Sequence, residues 1–222
     1  MTSRDRQPAC STSASGSASG PRDWLDLGRG LIRRGLRSPL LVVTDGAPGL
    51  VRAASELWPD ADRGRCTVHR LRNILAKLPE RPGLHARVRA AYWAALDTAM
   101  SPADAEHGLR VLVGELAGDF PSAAAWLADD LPALTVHLAY PLRLRKRLRS
   151  TNLLERSLEE VRRRTKVIGR FPGETSCLTM AWAVMDLVIA GAHGLGLTLP
   201  DRHAIAALIA ARSVPQTEEQ IA

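Results

Sequence analysis

Asp45 stands directly after the run Pro39-Leu40-Leu41-Val42-Val43-Thr44, and Glu155 stands within Ser150-Thr151-Asn152-Leu153-Leu154-Glu155-Arg156. A carboxylate just past a buried strand sits where α/β sheets present ligand-binding groups, and it is a hard oxygen donor suited to a divalent metal ion. The same Asp45-Gly46-Ala47-Pro48 string also reads as a plain turn, favoured for local backbone reasons. Glu155 has a similar double reading. Asn152, three residues earlier, has the spacing of a capping box, and a glutamate near a helix N-terminus is favoured by the macrodipole without any catalysis. Beyond it, Arg156, Arg162, Arg163, Arg164 and Lys166 form a basic face that can neutralise phosphates or simply meet water. Glu160 and Arg164 have the four-residue spacing of an ordinary helical ion pair.

Positioning these groups requires particular elements. The apolar, partly β-branched run before Asp45 is expected to be a fully buried strand that ends in a turn. Trp24, Leu27, Leu31, Ile32 and Leu36 recur at roughly helical spacing with Gly35 as a stop, so a helix leads into that strand. From Pro48 to Ala128 the periodicity is helical almost throughout. One stripe is Val68, Leu71, Leu75 and Leu78, another is Leu109, Leu112, Val113 and Leu116, and no second strand is expected there. Prolines mark boundaries at Trp58-Pro59, Leu78-Pro79, Pro82-Gly83, Ser101-Pro102 and Phe120-Pro121. Ser101 with Asp104 has the pattern of an N-cap. After the basic segment Arg143 to Arg149, a helix is expected from about Leu153 to Lys166, and an apolar helix or pair follows Gly173.

The 222 residues suffice for one substantial domain, and 30 Lys and Arg against 23 Asp and Glu give a net charge of +7. This balance favours a polyanionic partner. Three cysteines, Cys10, Cys66 and Cys177, show no repeated spacing, which argues against a disulfide framework and for a reducing cytoplasm. Met1 to Gly20 is rich in Ser, Ala and Gly with no apolar run, so it reads as a flexible leader and not a secretory signal. Leu178 to Leu199 is interrupted by Asp186, His193 and glycines, which favours a buried core helix over a bilayer span. His85, His107, His137, His193 and His203 are scattered singly and read as surface or core histidines.

Three ordered blocks carry a resemblance. Leu41-Val42-Val43-Thr44-Asp45-Gly46-Ala47-Pro48-Gly49-Leu50, then Arg65-Cys66-Thr67-Val68-His69-Arg70-Leu71-Arg72-Asn73, resemble the central block of Mutator-type bacterial insertion-sequence transposases. Ser150 to Arg156, continuing through Arg162-Arg163-Arg164-Thr165-Lys166-Val167-Ile168-Gly169-Arg170-Phe171-Pro172, is similar to that family's glutamate-bearing signature. The resemblance covers roughly residues 24 to 190. It implies a DDE transposase with an α/β fold: a partial RNase H-like core and a mainly helical insertion between the second aspartate and the glutamate. Asp45 and Glu155 match those two catalytic, metal-binding carboxylates, which would hold Mg²⁺ (or Mn²⁺) for DNA cleavage and strand transfer. Cys66 and His69 match the family's Cys-x-x-His motif. A zinc site would need further ligands, so a site-shaping role is preferred for the pair. Arg156, Arg162, Arg163, Arg164 and Lys166 would contact DNA.

The implied organisation is a disordered leader over 1–22, a partial RNase H-like core over 23–65, the helical insertion over 66–142, the rest of the core with the Glu155 helix over 143–212, and a flexible tail over 213–222. The implied partners are transposon terminal inverted repeats, target DNA and further copies of the chain, with no membrane, in the cytoplasm at the nucleoid. The pattern's first aspartate has no match, because Asp5, Asp23 and Asp26 follow no β-like run. An N-terminally truncated transposase with little strand transfer of its own is therefore expected. The alternatives are a non-catalytic DNA-binding remnant or regulator, and a helical interaction protein.

Overall fold

The computed structural model describes residues 20–192 and 194–213. Residues 1–19 of the expected leader, with Cys10, and 214–222 of the expected tail lie outside that range, as does His193. The chain divides into two compact units, one of residues 151–195 and a larger one combining residues 21–150 with the segment from Gly196 onward. Residues 143–212, grouped together in the sequence reading, are thus shared between the two units.

The larger unit opens with α1 (Pro21–Arg33), which begins on a proline whose fixed φ suits a first helical turn. Strand β1 (Leu41–Thr44), helix α2 (Pro48–Leu57) and strand β2 (Asp62–Arg65) follow, and the two strands pair in parallel with Thr44 opposite Arg65. The β2 strand was not expected. Its sequence, Asp62-Arg63-Gly64-Arg65, has no apolar run, and its extended state comes from pairing. At its two ends, Asp62 N–H donates to Leu40 O at 2.9 Å and Cys66 N–H to Thr44 O at 2.7 Å. Gly64 leaves room for the β1 side chains, since a side-chain carbon there would lie 3.2 Å from Val43 Cγ2 and 3.3 Å from Leu41 Cδ1. A second correction concerns β1, in which only Thr44 is buried. Among the described residues β2 is the one strand beside it, which is too little sheet to bury Leu41, Val42 and Val43. The result is a helix-dominated α/β arrangement with a two-stranded parallel sheet.

Helices α3 (Thr67–Leu75), α4 (Leu84–Asp97), α5 (Pro102–Ala117), α6 (Pro121–Ala128) and α7 (Leu131–Thr135) follow, then a 3₁₀ turn (Val136–Ala139) and α8 (Leu142–Leu148). Apart from Val68, which is only partly buried and outside the cluster, the expected stripes meet in one core. Leu71, Leu75 and Leu78 join Leu109, Leu112 and Leu116, while Val88, Tyr92, Leu127 and Leu134 fill the spaces between them. Each fully buried side chain of this size contributes about 2 kcal/mol by leaving water. Ser101 caps α5 through a reciprocal box: its hydroxyl accepts from Asp104 N–H at 3.2 Å, and Asp104 Oδ2 accepts from Ser101 N–H at 3.0 Å.

The last helix of the unit, numbered α11 (Leu199–Ser213) in chain order, is tied back by charged groups. Arg143 Nη1 donates to the buried Asp201 Oδ2 at 2.7 Å, and Arg212 donates to Leu40 O at 3.1 Å and to the Asp62 carboxylate.

The smaller unit is a pair of packed helices, α9 (Asn152–Thr165) and α10 (Glu174–Ala190). The expected Asn152 capping box is not formed. Thr151 occupies the cap position, and Asn152 is already helical. The expected core helix at Leu178 is a helix but is mostly exposed: Cys177 and Val184 are buried, whereas Leu178, Trp182, Leu187 and Ile189 are not. No helix among the described residues is long and apolar enough to cross a membrane.

Candidate metal and nucleic-acid site

The parallel register of β1 and β2 brings two of the singled-out segments to the same sheet edge. Thr44 lies opposite Arg65, so Asp45 and Cys66 are the next residues beyond paired strand ends. The exposed Asp45 accepts a hydrogen bond on Oδ1 from Ala47 N–H at 3.0 Å, and Gly46 takes a positive φ of 94°. Asp45 therefore does the work of a turn former while its carboxylate stays at the carboxyl end of the strand. The turn reading of Asp45 holds, and its carboxylate is left exposed at the end of the strand.

Cys66 occupies the N-cap position of α3 and is fully buried. Its Sγ lies 3.2 Å from His69 Nδ1, one helical turn on, so the Cys-x-x-His spacing closes into a direct contact. Thr67 beside them is clamped from two sides. Its N–H and hydroxyl both donate to Arg149 O, at 2.9 and 3.0 Å, and the buried Tyr92 hydroxyl donates to Thr67 O at 3.0 Å. Burial raises the Tyr92 phenol well above its ordinary range, so it acts as a fixed neutral donor. The start of α3 is thereby anchored to both α4 and the end of α8.

In the smaller unit, Glu155 lies in the first turn of α9, partly buried, and Thr151 Oγ1 donates to its Oε1 at 2.7 Å. The local chemistry is an N-cap threonine steadying a first-turn carboxylate, in the position a helix dipole favours. The basic face that follows is divided. Arg163 donates to both Glu160 oxygens at 2.8 and 2.7 Å, and Arg164 to Glu160 Oε1 at 2.7 Å. These bonds, Arg163's first, pull the Glu160 carboxyl down to about 2. Arg156, Arg162 and Lys166 are exposed and have no carboxylate partner among the described residues. A ligand phosphate would meet these three without first displacing a glutamate.

The other basic run, Arg143 to Arg149, is largely committed to the fold. Arg143 pairs with Asp201, Arg145 donates to Tyr140 O and Met100 O, and Arg149 pairs with Asp97 while stacking over Trp93 at 4.5 Å.

Arg65 and Arg70 stand within the Cys-x-x-His block, where nothing in the sequence assigns them a role. Arg65 Nε lies 3.4 Å and Arg70 Nη1 3.3 Å from the same oxygen, Asp130 Oδ2, and Arg70 is 1 % exposed. No signal in the string links them, because Asp130 arrives from the far end of the helical block.

The match to known proteins runs across these elements. The model of the Mutator family of transposases covers residues 13–189. The chain is 35% identical over 161 residues to the transposase for insertion sequence element ISRM5 of Rhizobium meliloti (strain 1021), spanning 72% of this chain and 40% of that protein. It is 33% identical over 170 residues to the transposase for insertion sequence element IS6120 of Mycolicibacterium smegmatis, spanning 75% of this chain and 51% of that protein. With the transposase for insertion sequence element IST2 of Acidithiobacillus ferrooxidans the figures are 31% over 180 residues, 81% and 59%. The chain thus spans about half the length of these curated relatives. The match takes in Asp45, the Cys66-His69 pair and the Glu155 helix in their order along the chain, and on that breadth the chain belongs to the Mutator family of transposases.

Proposed function

We propose that this chain carries the second and third carboxylates of a divalent-metal centre for insertion-sequence DNA cleavage and strand transfer, built on a partial RNase H-like core. The observation that carries the reading is the family match over residues 13–189. Asp45 is an exposed oxygen donor at the carboxyl end of β1, and Glu155 is a partly buried oxygen donor in the first turn of α9. Hard carboxylate oxygens fit Mg²⁺ or Mn²⁺. When bound, such ions lower the pKa of an attacking hydroxyl and stabilise the leaving oxygen of an in-line displacement. The protein's own share is to hold the two carboxylates, with Cys66 and His69 shaping the edge next to Asp45. Arg156, Arg162 and Lys166 would take up backbone phosphates of terminal repeats and target DNA, and Arg163 and Arg164 would join them where a phosphate displaces Glu160.

The first acidic ligand of the pattern is not assigned within this chain. Asp23 and Asp26 lie on α1, where Asp26 pairs with Arg29 at 3.6 Å, and not at a strand end. Asp5 is outside the described residues. Strand transfer by the chain alone is therefore expected to be weak, and assembly with further copies at the nucleoid belongs to the same proposal.

The test is Mn²⁺ binding and duplex DNA retention by the purified chain, compared with Asp45→Asn and Glu155→Gln, together with Mg²⁺-dependent nicking. Expected are millimolar Mn²⁺ binding lost in each variant, salt-sensitive DNA retention kept in both, and little nicking. Mn²⁺ binding indifferent to Asp45 and Glu155 would reject the metal assignment. DNA retention that fails at moderate salt would favour a helical interaction protein, and robust Asp45-dependent nicking would show that no further acidic ligand is needed.

A further inference from the structure

Arg65 turns back across the carboxyl edge of the sheet. It lies opposite Thr44 in the strand register, and its guanidinium covers Gly46. A side-chain carbon at Gly46 would overlap Arg65 Cζ and both Nη atoms, and the φ of 94° is itself one that side chains rarely adopt. Space and conformation together reserve this position for glycine. The consequence is a planar cation packed against the residue that follows Asp45.

Behind Arg65, two guanidinium groups face two carboxylates through long contacts. Arg65 Nε and Arg70 Nη1 share Asp130 Oδ2, while Asp129 approaches Arg70 Nη2 only to 3.8 Å and has a side chain 78% exposed. Arg65 Nε and Arg70 Nε and Nη2 are buried with no hydrogen-bond acceptor among the described residues. Trp126 lies 5.0 Å from Arg70 Cζ and offsets part of that charge through its ring face. Asp129 and Asp130 match the two guanidinium groups in number, but through long contacts of which one lies largely in water, so an anion at the outer end of Arg65 would add a closer partner than either aspartate gives it. The planar guanidinium fork suits a phosphate, whose oxygens accept two parallel N–H bonds.

We infer that Arg65 is a phosphate-binding residue. Held in place by Asp130, it seats two oxygens of a DNA backbone phosphate on the outer edge of its guanidinium, next to Gly46 and on the Asp45 side of the sheet edge. Arg70 acts as a positioning residue through Asp130. The phosphate chemistry follows from the geometry of the larger unit, and its source in DNA rests on the function proposed above. In that setting Arg65 would fix one phosphate on the Asp45 side of the sheet edge, which is where a reaction at phosphorus needs its substrate held.

Inorganic phosphate is the probe, titrated into the full chain without divalent metal at constant ionic strength, with the Gly46 amide followed by NMR. The expected result is a saturable Gly46 shift that chloride does not produce. Affinity should fall at least tenfold in Arg65→Gln and by less in Arg65→Lys, which keeps the charge and loses the fork. A silent Gly46 in the wild type overturns the proposal, as does a folded Arg65→Gln chain that binds phosphate unchanged. Should Arg65→Gln fail to fold, an Arg65→Lys chain that binds as tightly as the wild type is the overturning result. A second arm measures duplex DNA retention against salt, where Arg65→Gln should flatten the log–log slope by about one unit. If the wild type binds phosphate through Arg65 but retains no duplex, the phosphate seat stands and DNA is rejected as its source.

Discussion

The hydroxyl of Tyr140 donates to Asp62 Oδ2 at 2.8 Å, joining the turn before α8 to the first residue of β2. Arg212, arriving from α11, donates to the same carboxylate and to the Tyr140 oxygen. One carboxylate thus holds three parts of the larger unit. Burial, ahead of the hydrogen bonds, pushes the Tyr140 phenol up to about 12, so it remains a neutral donor throughout the ordinary pH range.

Tyr140→Phe should therefore destabilise the larger unit modestly, because Asp62 keeps Arg212. The substitution removes the bond to Asp62 and the one accepted from Arg212, of which the bond to the charged acceptor costs about 1.5 kcal/mol. Urea denaturation should show a lower midpoint with an unchanged slope. A variant as stable as the wild type would mean that this bond is exchanged for one to water at no cost.

Ser101→Ala removes one half of the α5 capping box and leaves Asp104 N–H without its acceptor. The expected loss is about 1 kcal/mol. Ser101→Thr should recover most of it, and the pair can be compared by thermal denaturation.

The buried His137 supplies a pH dependence. Burial first, then the positive charge of Arg149, lowers it to about 4, with Arg145 pushing the same way and Asp97 opposing. A base whose folded value lies below its unfolded value near 6.5 is held neutral by the fold, so acid favours the unfolded chain. Stability from this group is complete above about pH 6.5 and declines as pH falls toward 4. The loss by pH 5 is on the order of 2 kcal/mol. Melting temperatures at pH 6.5 and pH 5 should differ less in His137→Leu than in the wild type.

Glu160 holds Arg163 and Arg164 away from other anions. With its carboxyl lowered to about 2, this pairing persists down to acid pH. Glu160→Gln should release both guanidinium groups, tighten duplex DNA retention at low salt and steepen its salt dependence by roughly one to two log units per log unit of salt. An unchanged slope would place the two arginines outside the DNA contact surface.

The sequence by itself determined the features that depend on neighbours in the chain. Proline and glycine punctuation placed the helix ends, since backbone φ limits act on adjacent residues. The leucine stripes at 71, 75 and 78 and at 109, 112 and 116 predicted the helical core, because a 3.6-residue repeat needs no partner to be visible. Asp45 at the end of a strand and the Glu160–Arg164 pair were legible for the same reason.

Tertiary structure alone decided what depends on distant groups. Asp62 to Arg65 became a strand only because β1 offered its backbone edge, and Gly64 left room for the Leu41 and Val43 side chains. Thr151, not Asn152, took the cap of α9, a choice made by backbone angles that the two adjacent polar residues do not reveal in sequence. Arg65 gained its place over Gly46 from the strand register and its anchor from Asp130, which the helical block carries back to the sheet. Ion pairing and close approach act through space, so a cation's partner can be read only after the chain has folded.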